Sequence, residues 1–417
     1  MTTLQAISKS AASFTTNILI IGGSYGGLSA LVALKNIFKQ RPSTSRVSIT
    51  LIEPKAGLLN VLGVPRAIVD PEFAKTQYVP LQNLQDLFFD HLVSDDDYVL
   101  RELGANVKVE NNEHLEITYA QGSVTRLEKD SAEYTLNGKT GGSAKISFDY
   151  CVVAAGRNRS WPTSPDAYNY ESYLKEMVEF NAQAKRVEKI AVVGAGAVGI
   201  EIAGDIKTKH PEKEVVLIHP HEKFPPEPLT DAFKDMARES LERAGVKVMT
   251  GLRVKQELEN HDLELTNGEI IEADFTYWCN AFKNNTNLFT GDMAQFVSSK
   301  NNIHVNEYGQ LFHPDNKTQV DNVFCIGDMV EKPIIKSAGW ALYMGRQVAN
   351  NLAGLILDQK LVEEFPDLTQ MPRGMVLVAG NEEIVSELTG EVELNHKGYV
   401  EEYKDYCFGK VRVTLGA

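Results

Sequence analysis

Two short runs of small residues carry the chemistry in this sequence. In Asn17–Gly27 an apolar stretch runs into Gly22, Gly23, Ser24, Gly26 and Gly27, and in Lys189–Gly199 another runs into Gly194, Gly196 and Gly199. Such a turn gathers backbone N–H groups, and the helix that follows aims its positive end at the same spot, so a pyrophosphate is held there. The first glycine makes the tight turn, the second lets the backbone approach the phosphates, and the third lets helix and strand pack closely. All three stand in the second run. In the first, Ser24 takes the middle place between Gly22 and Gly27, a small residue among small neighbours.

Each run needs a strand before it and a helix after it. Leu28, Leu31, Leu34 and Phe38 recur at helical spacing after the first, and Val198, Ile202 and Ile206 after the second. A bound dinucleotide is read again where the next strand ends. Val47–Glu53 ends in a carboxylate, an acceptor for ribose hydroxyls. Glu214–His219 ends in His219, with His221 and Lys223 close by. An imidazole does not repel a 2′-phosphate as an acid would, so the second unit is expected to take NADH, NADPH or both. The competing reading makes His219 a solvated loop residue. The strand Phe148–Val153 leads to Ala155 and Gly156, and Asn322–Ile326 closes on Gly327 and Asp328. Asp328 can accept from ribityl hydroxyls, so the first unit is expected to hold FAD.

The composition agrees with a large core. The chain has 417 residues, 43% hydrophobic and 24% charged, which suits two or three domains. Its 42 basic against 56 acidic residues leave a charge of −14, a poor basis for binding nucleic acid. No apolar run approaches the roughly 18 residues of a transmembrane segment. Cys151, Cys279, Cys325 and Cys407 are scattered without a C-x-x-C. Neither a redox dithiol nor a metal site is expected. Residues 1–16 lack the apolar core of a signal peptide and the arginines of a transit peptide. A cytoplasmic location is expected, with a mitochondrial one as the alternative.

Together these blocks resemble the apoptosis-inducing-factor-like flavoproteins, most closely the ferroptosis-suppressor type of FAD-dependent NAD(P)H:quinone oxidoreductase. The resemblance is carried by Asn60–Val69 followed by Phe73–Lys75, by Asp205–His219 with its His in place of the acid, and by Ile326–Asp328 with Lys336 after it. It implies that Arg66 lies on the flavin side. It also implies that hydride passes from NAD(P)H through FAD to a small two-electron acceptor of quinone type. Two departures stand out. Residue 2 is Thr where well-known members carry a myristoylated Gly, and Cys279-Asn280-Ala281 replaces the usual Thr-Gly. Peripheral membrane contact is therefore left open, as is the choice between monomer and homodimer. A biosynthetic oxidase or reductase of a small metabolite is an alternative function, and a non-catalytic signalling flavoprotein another.

The expected architecture is α/β. Two Rossmann-like domains hold FAD (14–157 and 281–345) and NAD(P)H (158–280, inserted in the first), with Pro162 and Pro165 marking the linker. Residues 346–417 are expected to form a small α+β C-terminal domain: a helix from Arg346 to Leu357, then strands near Met375–Ala379, Val385–Leu388 and Val411–Leu415. Asp95–Asp97 reads as a solvated loop. Lys336 is a candidate for tuning the flavin, since a cation near N1 and C2=O stabilises the reduced anion; otherwise it faces solvent at a helix start. Glu201, two residues after Gly199, can meet the nicotinamide amide or ribose, or is simply an acid favoured by the helix dipole.

Overall fold

The computed structural model describes residues 15–84, 89–104, 112–137, 142–159, 164–280, 282–371 and 373–416. The N-terminal tail as far as residue 14, and Pro162 of the expected linker, lie outside them.

Val- and Ile-rich runs build two parallel sheets. The larger has seven strands in the order Gln310–Phe312, Gln319–Cys325, Tyr150–Val153, Thr15–Ile21, Arg46–Ile52, Leu115–Ala120, His91–Val93. All neighbours are parallel except the first pair. Ile18–Ile21 and Cys151–Val153 are buried throughout, as continuous apolar runs must be when both faces are covered. Helix Tyr25–Gln40 packs closely on helix Ala338–Asp358: a side chain at Gly345 would run into the Gly26 carbonyl.

The second sheet has four parallel strands in the order Lys247–Met249, Glu214–Ile218, Lys189–Val193, Phe275–Trp278. Helices Ala197–Lys209, Asp231–Ala244 and Tyr170–Arg186 accompany it. The chain leaves the seven-stranded sheet through Arg157–Arg159 and returns through Phe282–Asn284. These two segments pair antiparallel, with Arg157 opposite Asn284.

The C-terminal segment differs from the sequence reading. Its first helix begins at Ala338 rather than Arg346, because the Ser337 hydroxyl accepts from the Trp340 N–H and caps it. Strands Gly374–Val378 and Ile384–Leu388 stand near the expected positions, joined by a third, Glu391–Leu394. The expected strand at Val411–Leu415 is instead part of helix Phe408–Thr414. Phe408, Val411 and Leu415 fall at helical spacing, and all three bury against the core of the seven-stranded unit; that packing outweighs the β-branched composition. Asp95–Asp97 is not a solvated loop. The Asp96 carboxylate accepts from the Tyr98 and Val99 amides and from the Asn169 side chain, starting a short helix.

Candidate functional site

Parallel register brings the key residues to one edge of each sheet. Thr15–Ile21, Arg46–Ile52, Tyr150–Val153 and Gln319–Cys325 all end on the same side, which sets Gly22, Glu53, Gly156 and Asp328 beyond their carboxyl ends. Open α/β sheets bind ligands there.

The two glycine loops are built alike. Gly22 and Gly194 sit at φ +98° and +107°, where a side chain is strained. A Cβ on Gly27 would run into the Gly22 carbonyl, and one on Gly199 into the Gly194 carbonyl. Each third glycine thus lets its helix lie against its own loop. Ser24 takes the N-cap position of the first helix with an exposed side chain that makes no capping bond. Gly26 faces Ile326 and Ala341 of the neighbouring elements. Around Gly196, Gly156 and Gly327 a side chain would meet nothing within 4 Å. These open positions, Gly196 at a helix N-terminus and Gly156 and Gly327 beyond strand ends, leave room for the phosphates and sugars of a dinucleotide.

The acid expected to read the ribose first serves the loop. Buried Glu53 accepts from the Gly23 N–H with Oε2 at 2.6 Å and from the Lys55 N–H with Oε1 at 2.8 Å. Burial raises its pKa, and the two amides oppose the rise. His219 holds the matching post in the second unit: its Nδ1 accepts from the Ala195 N–H at 3.1 Å. Burial first, then His221 and Arg253, push its pKa down to about 4. Its side chain is buried, so it is not a solvated loop residue.

Asp328 pairs with Arg157, Nε to Oδ2 at 3.0 Å, and Arg157 also donates to the Asp328 carbonyl at 3.1 Å. Lys336 is half-buried and donates from Nζ to the Val330 carbonyl at 2.6 Å. Burial draws its pKa down to about 8 while the nearby Asp328 opposes. Asp328, Arg157 and Lys336 therefore form one charged cluster beyond the strand that ends at Cys325. The backbone beside it is pinned as well: the Ala155 carbonyl accepts from the Asn285 side chain and the Gly156 carbonyl from its N–H.

Arg66 and Glu201 meet in a second cluster. Arg66 donates through Nε and Nη2 to Asp205 Oδ1 at 3.0 and 2.8 Å, and its Nη1 lies 3.2 Å from Glu382. Buried Glu201 has its pKa raised to about 8, by burial first and then by the Asp205 charge, with the Val378 N–H opposing. Asn60 donates to the Tyr406 carbonyl and accepts from the Tyr25 hydroxyl at 2.6 Å. Tyr406 thus ties the tail to the glycine-loop helix that carries Tyr25, besides the Asp205 carboxyl it bonds with its own hydroxyl.

Sequence reasoning missed Arg157, Tyr25, Asn60, Asp205 and Tyr406 as site residues. Arg157, Asn60 and Asp205 fall inside motifs already singled out, so a search for charged or amide residues next to the loops finds them. Nothing in the sequence marks Tyr406.

None of the four cysteines is paired in a disulfide. Burial pushes the thiols of Cys279 and Cys325 up to about 12 and that of Cys407 up to about 11, and raises that of Cys151 well above its ordinary value. Among the described residues no helix is long and apolar enough to cross a membrane.

The family model for pyridine nucleotide-disulphide oxidoreductases matches residues 16–345, a span that takes in both loops. The chain belongs to that family. It is 28% identical over 408 residues to the oxidoreductase OXR1 of Ajellomyces capsulatus, covering 90% of this chain and 82% of the relative. Apoptosis-inducing factor homolog A of Dictyostelium discoideum is 25% identical, with 81% and 76% covered. Ferroptosis suppressor protein 1 of Mus musculus is 24% identical, with 80% and 79% covered. Among solved structures, NDH2 from Plasmodium falciparum in complex with NADH superposes with a TM-score of 0.69 over 96% of both chains at 13% identity. The resemblance to apoptosis-inducing-factor-like and ferroptosis-suppressor proteins and the α/β two-dinucleotide fold both stand.

Proposed function

We propose that this protein is an NAD(P)H-dependent flavoprotein oxidoreductase that passes two electrons through FAD to a quinone-type acceptor. The carrying observation is the pair of like-built loops, each with its strand-end reader, on two sheets joined by one ribbon. FAD is assigned to residues 14–157 and 281–345, the nicotinamide nucleotide to 158–280, and a covering role to 346–417.

Gly22–Gly27 and the helix after them would take the FAD pyrophosphate, Glu53 the adenosine ribose, and Asp328 the ribityl hydroxyls. FAD held by these residues would supply the hydride-accepting and two-electron-donating chemistry between NAD(P)H and the acceptor. The chain's own part is to position and to tune. Lys336 holds a positive charge beside the Asp328–Arg157 pair and would favour a negative charge on the reduced ring. Burial raises the Glu201 pKa to about 8, which favours a neutral carboxyl over an anion in the cluster with Asp205 and Arg66. Gly194–Gly199 and His219 would hold the second nucleotide. The buried, high-pKa thiols support direct transfer to the acceptor over a thiol relay. The quinone assignment rests on the family resemblance and on a flat acceptor's ability to stack on an exposed ring edge.

Stopped-flow reduction by NADH and NADPH, followed by reoxidation with quinones, oxygen and ferricyanide, tests the proposal. Rapid flavin bleaching and quinone turnover well above the oxygen rate are expected. Quinone turnover no faster than oxygen would move the assignment to a biosynthetic oxidase or reductase of a small metabolite.

A further inference from the structure

We infer that Asn285 is a positioning residue for bound FAD: it holds the Ala155–Gly156 turn so that two successive backbone N–H groups face the flavin's diphosphate. The inference rests on the reading of residues 14–157 and 281–345 as the FAD unit, and adds a residue that neither glycine loop contains.

Asn285 stands on the chain's return from the second sheet, one residue past the ribbon. Its backbone N–H donates to the Gly156 carbonyl at 3.0 Å, and its side-chain Nδ2 donates to the Ala155 carbonyl at 2.7 Å. A further bond from Nδ2 reaches Asn158 Oδ1 at 3.2 Å. In a trans peptide the N–H points opposite to the carbonyl of the same plane. With both carbonyls turned toward Asn285, the N–H groups of Gly156 and Arg157 are turned away from it. Two successive amides on one side make a concavity that attracts an anion. Gly156 takes φ +64°, which glycine adopts without penalty, and a Cβ there would meet nothing within 4 Å.

The turn lies against the first glycine loop. A Cβ on Gly22 would stand 2.4 Å from the Ala154 carbonyl oxygen, and the Ala154 N–H donates to the Ile21 carbonyl at 2.7 Å. On its other side Arg157 bonds Asp328. The two amides therefore stand between the loop assigned to the diphosphate and the acid assigned to the ribityl hydroxyls, beside the flavin-side phosphate. Asn285 is itself fixed from both neighbours. Buried Asn284 donates from Nδ2 to the Asn301 carbonyl and to Asn302 Oδ1, each at 2.7 Å, and the hydroxyl of buried Thr286 donates to Asn301 Oδ1 at 2.5 Å. The cost of ordering the segment is thus met in folding and not again when the cofactor binds.

Release of FAD from the holoenzyme, followed by the rise in flavin fluorescence on dilution, and the ³¹P resonances of bound FAD test this without turnover. Asn285→Asp keeps the size of the side chain and the backbone bond to Gly156, but its carboxylate can only accept and meets the Ala155 carbonyl as one acceptor meets another. Release should quicken by more than about tenfold, and one ³¹P resonance should leave its parent position. Asn285→Ala removes the donor without adding a charge. It should move both readouts the same way by less, and it carries the comparison if the acid variant does not fold. Asn158→Ala removes only the other acceptor of the same amide and should hold release within about threefold of the parent, with the resonances in place. Faster release with unmoved resonances would make Asn285 merely structural and overturn the inference, as would an Asn158→Ala variant that matches Asn285→Asp. If the Asn285 variants release FAD at the parent rate while NADH still reduces the flavin, the inference fails and the proposed function stands. If the parent holds no FAD, the flavin assignment fails and the inference with it.

Discussion

The Tyr406 hydroxyl donates to Asp205 Oδ2 at 2.6 Å across 201 residues of sequence. Both groups are buried, and Arg66 holds the other oxygen of the same carboxylate. One buried acid is thus shared by the tail and by the segment expected on the flavin side. Tyr406→Phe should lower the stability of the FAD-loaded protein by about 1–3 kcal/mol, because a buried carboxylate loses a donor and finds no water in its place. Urea unfolding followed by flavin fluorescence measures it. An unchanged midpoint would show that the tail is held by Phe408, Val411 and Leu415 alone.

Glu201 gives the protein a pH signature. Its pKa stands at about 8 in the fold against an ordinary 4.5. The folded state binds this proton more strongly than the unfolded chain, so the group's contribution to stability is fully present below 4.5 and is lost as pH rises through about 8. Glu201→Gln should flatten the fall in urea midpoint over that window and be more stable than the parent at its alkaline end. Parallel pH curves for the two proteins would count against a buried proton at this position.

Lys336 should set the flavin's reactivity. Lys336→Ala should lower the reduction potential of bound FAD and slow turnover with quinone, since the cation that favours a reduced anion is gone. The Lys336 pKa is about 8. Parent turnover should therefore decline as pH climbs through that value, and the variant should lack this limb. A normal potential in the variant would reduce Lys336 to a helix-start residue bonded to the Val330 carbonyl.

A variant with all four cysteines changed to alanine should keep quinone turnover within about threefold of the parent once folded and FAD-loaded. Alanine is preferred to serine because Cys151 and Cys325 are buried, where a hydroxyl would go unpaired. Selective loss of turnover in that variant would establish a thiol step.

The sequence disclosed what depends on local geometry. Gly22 with Gly27, and Gly194 with Gly199, are readable because a collision between a side chain and a carbonyl five residues away is a property of the loop itself. Glu53 and His219 were legible as polar residues at strand ends, but not as acceptors for Gly23 and Ala195, a bond that exists only once neighbouring strands align. Arg157 and Asp328 lie in two recognised motifs, yet their pairing spans 171 residues and follows from sheet order. Val411–Leu415 misled because its β-branched composition says strand, while its helical spacing shows only when Phe408 is counted with it.

The ribbon formed by Arg157–Arg159 and Phe282–Asn284 brings together the two points where the chain departs from the large sheet and rejoins it. A unit whose entrance and exit are neighbours is a cassette. Closing the host chain across the ribbon would cost little loop entropy. The unit nevertheless shares a hydrophobic core with its neighbours, and its Asp205 is held by Arg66 and Tyr406, so a bare excision would leave those buried groups without that partner. By the same geometry, a relative's nucleotide unit with a different strand-end reader could be spliced in at these two points, and cofactor preference exchanged as a block while the flavin-side sheet keeps its register.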